Sequence, residues 1–159
     1  MGGHGAGRTM SARLDPEAMR LLDAPSFAHL STLMSDGAPK VEPVWVMRDG
    51  AQVLVTTDAK SIKAVNVARD ARVALSVVAA DDPYEQLLIR GTVVEVRPDE
   101  DLAVLDAFAE KYLGGPFPRR KWSERVVLVI EPTLARYYRS KLGGARSEGG
   151  EHGGAQPPR

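Results

Sequence analysis

Apolar positions recur along this chain with two different periods, and the switches between them mark its elements. Asp15-Pro16-Glu17 opens a helix, with Asp15 as its cap and Pro16 where no N–H is needed. Met19, Leu21 and Leu22 give that helix an inward side. Three strand-like runs follow, at 26–34, 40–47 and 51–57. The first two end in the Asp-Gly turns of Ser35-Asp36-Gly37 and Arg48-Asp49-Gly50, so the three read as a meander of hairpins. A short helix is predicted over about 61–69, with Ile62 and Val65 packed on the sheet and Lys63 and Asn66 together on the neighbouring face. Strands are predicted near 72–79 and 84–96. Leu102, Leu105, Phe108, Ala109 and Tyr112 then fall at helical spacing in a longer helix from about Pro98 to Leu113, which Gly114-Gly115 and Pro116 end. A final strand covers 125–130 and resumes near Tyr137, and no internal repeat is present.

Some of these strands do not alternate. Val126-Val127-Leu128-Val129-Ile130 is apolar throughout, and 73–78 is nearly so. A sheet with one face in water alternates, so both faces here are expected to be covered. The pattern predicts a mainly β protein, a closed barrel with flanking helices whose outside is also buried. Helices cover part of that outside and a second copy of the chain the rest, so a homodimer is expected.

The two ends differ from this pattern. Residues 1–12 and 143–159 are rich in glycine and polar groups and are predicted to be disordered tails, which leaves a single folded domain over 13–142 of the 159 residues. Lysine plus arginine equals aspartate plus glutamate at 21 each, which argues against a nucleic-acid partner. There is no cysteine, so disulfides and thiolate chemistry are excluded. No apolar run reaches the roughly 18 residues of a membrane span, and Met1-Gly2-Gly3-His4-Gly5 has no apolar signal core. A soluble, cytoplasmic protein is the expectation.

Candidate chemistry concentrates in Thr56-Thr57-Asp58-Ala59-Lys60-Ser61-Ile62-Lys63-Ala64-Val65-Asn66, where a strand hands over to the short helix. A helix N-terminus has unpaired N–H groups and partial positive charge. Lys60 and Lys63, with the hydroxyls of Thr56, Thr57 and Ser61, make it a seat for a phosphate; the alternative is a pair of ordinary solvated lysines. No glycine-rich phosphate loop is present. Pro43 places its strand at an edge or a bulge, where backbone groups of Val44, Trp45 and Val46 could read the rim of a flat heterocycle. Otherwise Trp45 is a core or interface aromatic. Tyr84 and Gln86 follow the turn Asp81-Asp82-Pro83 and either line a pocket or begin a surface strand. His29 is the one histidine outside the tails and reads as a packed strand residue, so no metal site is expected. Arg119-Arg120-Lys121-Trp122 reads as a solvated loop, with contact to an anionic ligand tail or to RNA as the alternative. No nucleophile–base–orienter set is apparent.

The order of these features resembles a known family. Phe27-Ala28-His29-Leu30-Ser31-Thr32-Leu33 and its Asp-Gly turn are followed by Pro43-Val44-Trp45-Val46, Thr56-Thr57, Lys60 and Lys63-Ala64-Val65-Asn66. Asp70-Ala71-Arg72-Val73-Ala74-Leu75 and Leu88-Ile89-Arg90-Gly91-Thr92-Val93 complete the set. Over about 14–140 the chain resembles the pyridoxamine 5'-phosphate oxidase-like split β-barrel superfamily, and within it the actinobacterial oxidoreductases that use coenzyme F420. The resemblance implies an FMN-binding-split-barrel-like fold and a homodimer with two sites at the subunit interface. It also implies hydride transfer from reduced deazaflavin to an unsaturated small organic substrate. Carried over, Thr56, Thr57, Lys60, Ser61, Lys63 and Asn66 would hold the phosphate and ribityl end, and Val44, Trp45 and Val46 would lie along the ring system. Tyr84 and Gln86 would come from the neighbouring subunit. The alternatives are an FMN-dependent enzyme, of the pyridoxamine-phosphate-oxidase-like or tetrapyrrole-reducing type, and a non-catalytic flavin- or deazaflavin-binding module. Hydride transfer needs orientation and exclusion of water more than a side-chain nucleophile, which fits the lack of a catalytic set.

Overall fold

The computed structural model describes residues 11–119, 121 and 123–142, so the expectations for the extreme ends, and for Arg120 and Trp122, lie outside the described residues. In chain order the elements are α1 (Pro16–Asp23), β1 (Ala28–Leu33), β2 (Pro39–Val44), β3 (Met47–Asp49), β4 (Gln52–Asp58), α2 (Ile62–Arg69), β5 (Arg72–Val78), β6 (Glu85–Pro98), α3 (Ala103–Leu113) and β7 (Arg125–Arg139). The strands form one antiparallel sheet in the order β2-β1-β5-β6-β7-β4-β3. The sheet curls into a split barrel. One buried cluster joins Leu30 of β1, Val53 and Val55 of β4, Leu75 of β5, Leu87 of β6 and Leu128 of β7 with Leu21 and Leu22 of α1. A flat sheet would keep those strands apart. Asp15 accepts a hydrogen bond from the Ala18 N–H at 2.8 Å, the expected cap, and α1 sits against strands from both sides of the fold.

The expected meander is broken in one place. β1 pairs with β2 and β3 with β4, but the run at 40–47 splits at Trp45-Val46 and β4 goes on to pair with β7. β2 is an outermost strand, which is where Pro43 causes least loss to the ladder. β6 and β7 run as one long ladder from Glu85↔Arg139 to Pro98↔Val126, with register shifts at Arg90/Gly91 and Val93/Glu95. The first shift needs Gly91, because a Cβ there would lie 2.6 Å from the Glu131 carbonyl oxygen. β7 is continuous where a strand with a resumption was expected.

The two apolar faces of β7 have separate covers. Leu128 and Ile130 face the barrel interior, while Val127 and Val129 join Leu54 and Phe108 beneath α3. α3 thus supplies, for this face, the helical part of the expected cover. α3 starts at Ala103, later than expected, because Asp99 caps it from the preceding turn. Its two carboxylate oxygens accept from the N–H groups of Val104 (3.1 Å) and Leu105 (2.8 Å). Gly114 ends α3 at φ 75°, as its sequence position suggested.

Candidate functional site

The split between β2 and β3 opens a cavity of about 450 Å³. β2 contributes Pro43 and Val44, the break contributes Trp45, and the end of β4 contributes Thr56, Thr57 and Asp58. Ser61 and Lys63 enter from the start of α2, Phe27 from the approach to β1, Leu105 and Phe117 from α3 and its exit, and Arg125 from the start of β7.

One side of the cavity is polar. Thr57 donates to the Ser61 oxygen at 2.9 Å, and that oxygen also accepts the Ala64 N–H at 3.2 Å, capping α2. With both lone pairs used, the Ser61 hydroxyl keeps a proton to give. Arg125 is nearly buried and donates from Nη2 to Thr56 Oγ1 at 3.1 Å. Burial lowers its pKa, against the attraction of Asp58 and Asp99. The Lys63 ammonium pairs with Glu42 Oε1 at 3.1 Å, and Lys40 reaches the same oxygen at 2.9 Å. Burial would raise the Glu42 pKa, but the hydrogen bonds from Lys40 and Lys63 outweigh it and hold the carboxyl below its usual value.

The other side is aromatic. Trp45 stacks on Tyr112 with ring centroids 5.0 Å apart and planes 5° from parallel. Phe117 meets Trp45 edge-on at 6.4 Å, and Phe27 packs on Tyr112 at 5.6 Å. The backbone of the break is held from α3. The Val46 N–H donates to the Tyr112 oxygen at 3.1 Å, Tyr112 donates to the Ser26 carbonyl at 2.6 Å, and Lys111 Nζ donates to the carbonyls of Val46 (2.6 Å) and Leu22 (2.5 Å). Burial pushes Lys111 down from 10.5 to about 8.

The structure thus brings Val44, Trp45, Thr56, Thr57, Ser61 and Lys63 to one cavity. It places the other expected residues elsewhere. Val46 is fully buried and both its backbone groups are already engaged, so it has nothing to offer a ring edge. The Lys60 side chain is exposed outside the lining, and its N–H donates to Asp58 Oδ1 at 2.6 Å. Asn66 is 2% exposed and donates to Thr32 Oγ1 at 3.0 Å, fastening α2 to β1. This corrects the orientation of α2: Ala64, Asn66 and Val67 face inward, while Ile62 and Val65 are each 52% exposed. Tyr84 and Gln86, expected at the site of a neighbouring subunit, stand away from this chain's own cavity, since Gln86 pairs with Tyr138 at the opposite end of β7 from Arg125. Phe27, Phe117 and Arg125 were not singled out for the site from the sequence. Phe27 and Arg125 reach it through long-range strand pairing, and Phe117 is brought to it by α3.

Among the described residues no helix is long and apolar enough to cross a membrane, and no group of three or more His, Asp or Glu residues is arranged to hold a metal. The profile of the pyridoxamine 5'-phosphate oxidase family matches residues 14–139. Among solved structures, one described as an F420 reductase is 33% identical over 74% of this chain and 94% of its own, with a TM-score of 0.69. A conserved hypothetical protein from Mycobacterium tuberculosis shares the fold at 22% identity, covering 91% of this chain and 95% of its own with a TM-score of 0.68. General Stress Protein 26 from Bacillus anthracis does so at 17% identity, covering 77% and 91% with a TM-score of 0.61. The comparison with curated proteins gives no match. A profile match running from the start of α1 to the end of β7, on a split barrel built as in these structures, establishes that the chain belongs to the pyridoxamine 5'-phosphate oxidase-like family.

Proposed function

We propose that this chain is an oxidoreductase that uses coenzyme F420 and reduces an unsaturated small organic substrate. The observation that carries the reading is the two-sided cavity: a cation and hydroxyl donors at the start of α2, and an aromatic wall built on Trp45. Those residues fit a cofactor with an anionic tail and a flat ring. Lys63 and Ser61 would hold the acidic end, and Val44 and Trp45 would lie along the ring. The similarity to an F420 reductase at 33% identity supports deazaflavin over FMN. When bound, reduced deazaflavin supplies a hydride to an electron-poor double bond, and a proton from solvent completes the product. The chain's part is to orient and to keep water out. Its cavity-lining side chains include no histidine, and the Tyr112 hydroxyl is committed to Val46 and Ser26.

The same reading includes a second copy of the chain. A largely apolar groove of about 480 Å³ crosses the outside of β2, β1, β5, β6 and β7, with Val41 66% and Leu88 44% exposed. An exposed groove of this kind on a sheet face fits an isologous dimer. Spectrophotometric oxidation of reduced F420 tests the activity, with enones, quinones and biliverdin as acceptors. Acceptor-dependent loss of reduced cofactor is expected. Binding without turnover of any acceptor would favour a storage module, and turnover with reduced FMN alone would contradict the cofactor assignment.

A further inference from the structure

Glu42 is a carboxylate where a site for anions should be short of them. It projects from β2 on the same face as Lys40 and Val44, toward α2. It lies outside the cavity lining and touches that lining through Lys63 at 3.1 Å. The pair is partly shielded from solvent: the Lys63 side chain is 15% and the Glu42 side chain 27% exposed. Among the charged lining residues, Lys63 and Arg125 stand against Asp58, while Lys40 and Glu42, paired just outside the lining, cancel. One net positive charge is left. With Glu42 neutral there would be two.

We propose that Glu42 is a charge filter: by sharing Lys63 it tunes the cavity to an anion of single charge, a phosphodiester, and against a doubly charged phosphomonoester. This rests on the cofactor reading above, since it explains how a family fold that serves phosphate-bearing cofactors would favour the diester-linked one here. A dianion must either leave one of its charges unmatched beside Glu42 or displace Lys63 from it. A monoanion does neither. Glu42 acts through Lys63 and is a specificity-determining residue, not a catalytic one.

The test is Glu42→Gln, read by titrating the protein with riboflavin, FMN and F420 at low salt and about pH 8, where the FMN phosphate is a dianion. Riboflavin has the ring without the phosphate, so the ratio of its Kd to that of FMN isolates the phosphate contribution. That ratio is expected to rise about tenfold in Glu42→Gln, with the F420 Kd moving less. The gain is expected to vanish in Glu42→Gln/Lys63→Met, and circular dichroism melting checks that both variants fold. An unchanged ratio, weaker FMN binding in Glu42→Gln, or no detectable flavin binding by either protein would overturn the filter; weaker binding would show that Glu42 merely positions Lys63. Flavin ratios that shift as expected while F420 fails to bind would strike the cofactor assignment and leave the filter standing.

Discussion

Lys63 and Asn66 are separated by less than one helical turn, yet the structure gives them different jobs. Lys63 reaches the cavity and pairs there with a single carboxylate, Glu42. Asn66 turns inward, donates to Thr32 and accepts from Arg69 at 2.9 Å. The sequence makes both look like ligands, because spacing reports which residues share a face and not which face meets the sheet. Here the polar residue is buried and the apolar pair Ile62 and Val65 is left outside. A charge-assisted contact to phosphate is worth about 1.5–3 kcal/mol, so Lys63→Ala is expected to raise the F420 Kd roughly tenfold or more. Lys60→Ala, outside the lining, is expected to leave it nearly unchanged. Calorimetric titration of the two variants side by side checks this, and equal losses would contradict the placement. Asn66→Ala leaves Thr32 without its donor inside the fold and is expected to cost about 1–3 kcal/mol of stability in denaturant unfolding.

At the scale of elements, α3 does two things for the site. Phe108, fully buried against Leu54, Val127 and Val129, anchors the helix to β4 and β7. Tyr112 and Lys111 then hold both backbone groups of Val46, which fixes the direction in which Trp45 leaves the β2–β3 break. The helical spacing of Leu105, Phe108, Ala109 and Tyr112 made this element legible from the sequence. Its start was not legible, because Asp99 caps it across a turn in which Leu102 has φ 62°, a conformation that spacing does not report. Tyr112→Phe keeps the stacking and removes the hydroxyl, so it is expected to weaken cofactor binding by changing Trp45 while leaving the fold intact, with Trp fluorescence as the readout. Lys111 also gives a pH signature. Its pKa of about 8 in the folded protein lies below its usual 10.5, so the unfolded chain holds more protons between those values. Its contribution to stability is therefore lowest below pH 8 and rises toward pH 10.5. Asp23 opposes the shift, and Arg48, paired with Asp23 at 2.7 Å, lines the same crevice. Thermal melting of the wild type against Lys111→Met is expected to show a gap that moves in favour of the wild type above pH about 8; a gap independent of pH would contradict it.

For the whole molecule, the barrel makes a site out of residues that are distant in sequence. Phe27 and Arg125 lie at opposite ends of the strand sequence and meet at one cavity. The mainly β character and most strand positions could be read from apolar runs and Asp-Gly turns. The closure could not, because β4 pairs with β7 across two intervening strands and two helices, and no local signal encodes that ladder. The inference from unalternating strands to a covered outer face was sound for β7, where α3 is the cover. What remains open to a second copy is the groove beside Val41 and Leu88. Leu88→Glu is expected to convert a dimer to a monomer in sedimentation velocity, and a wild type that sediments as a monomer at micromolar concentration would contradict the dimer.

Isothermal titration of the wild-type protein with F420 and, separately, with FMN bears most directly on the account. Saturable F420 binding at least about tenfold tighter than FMN is the expected result. Tight binding of FMN with no heat from F420 would contradict it.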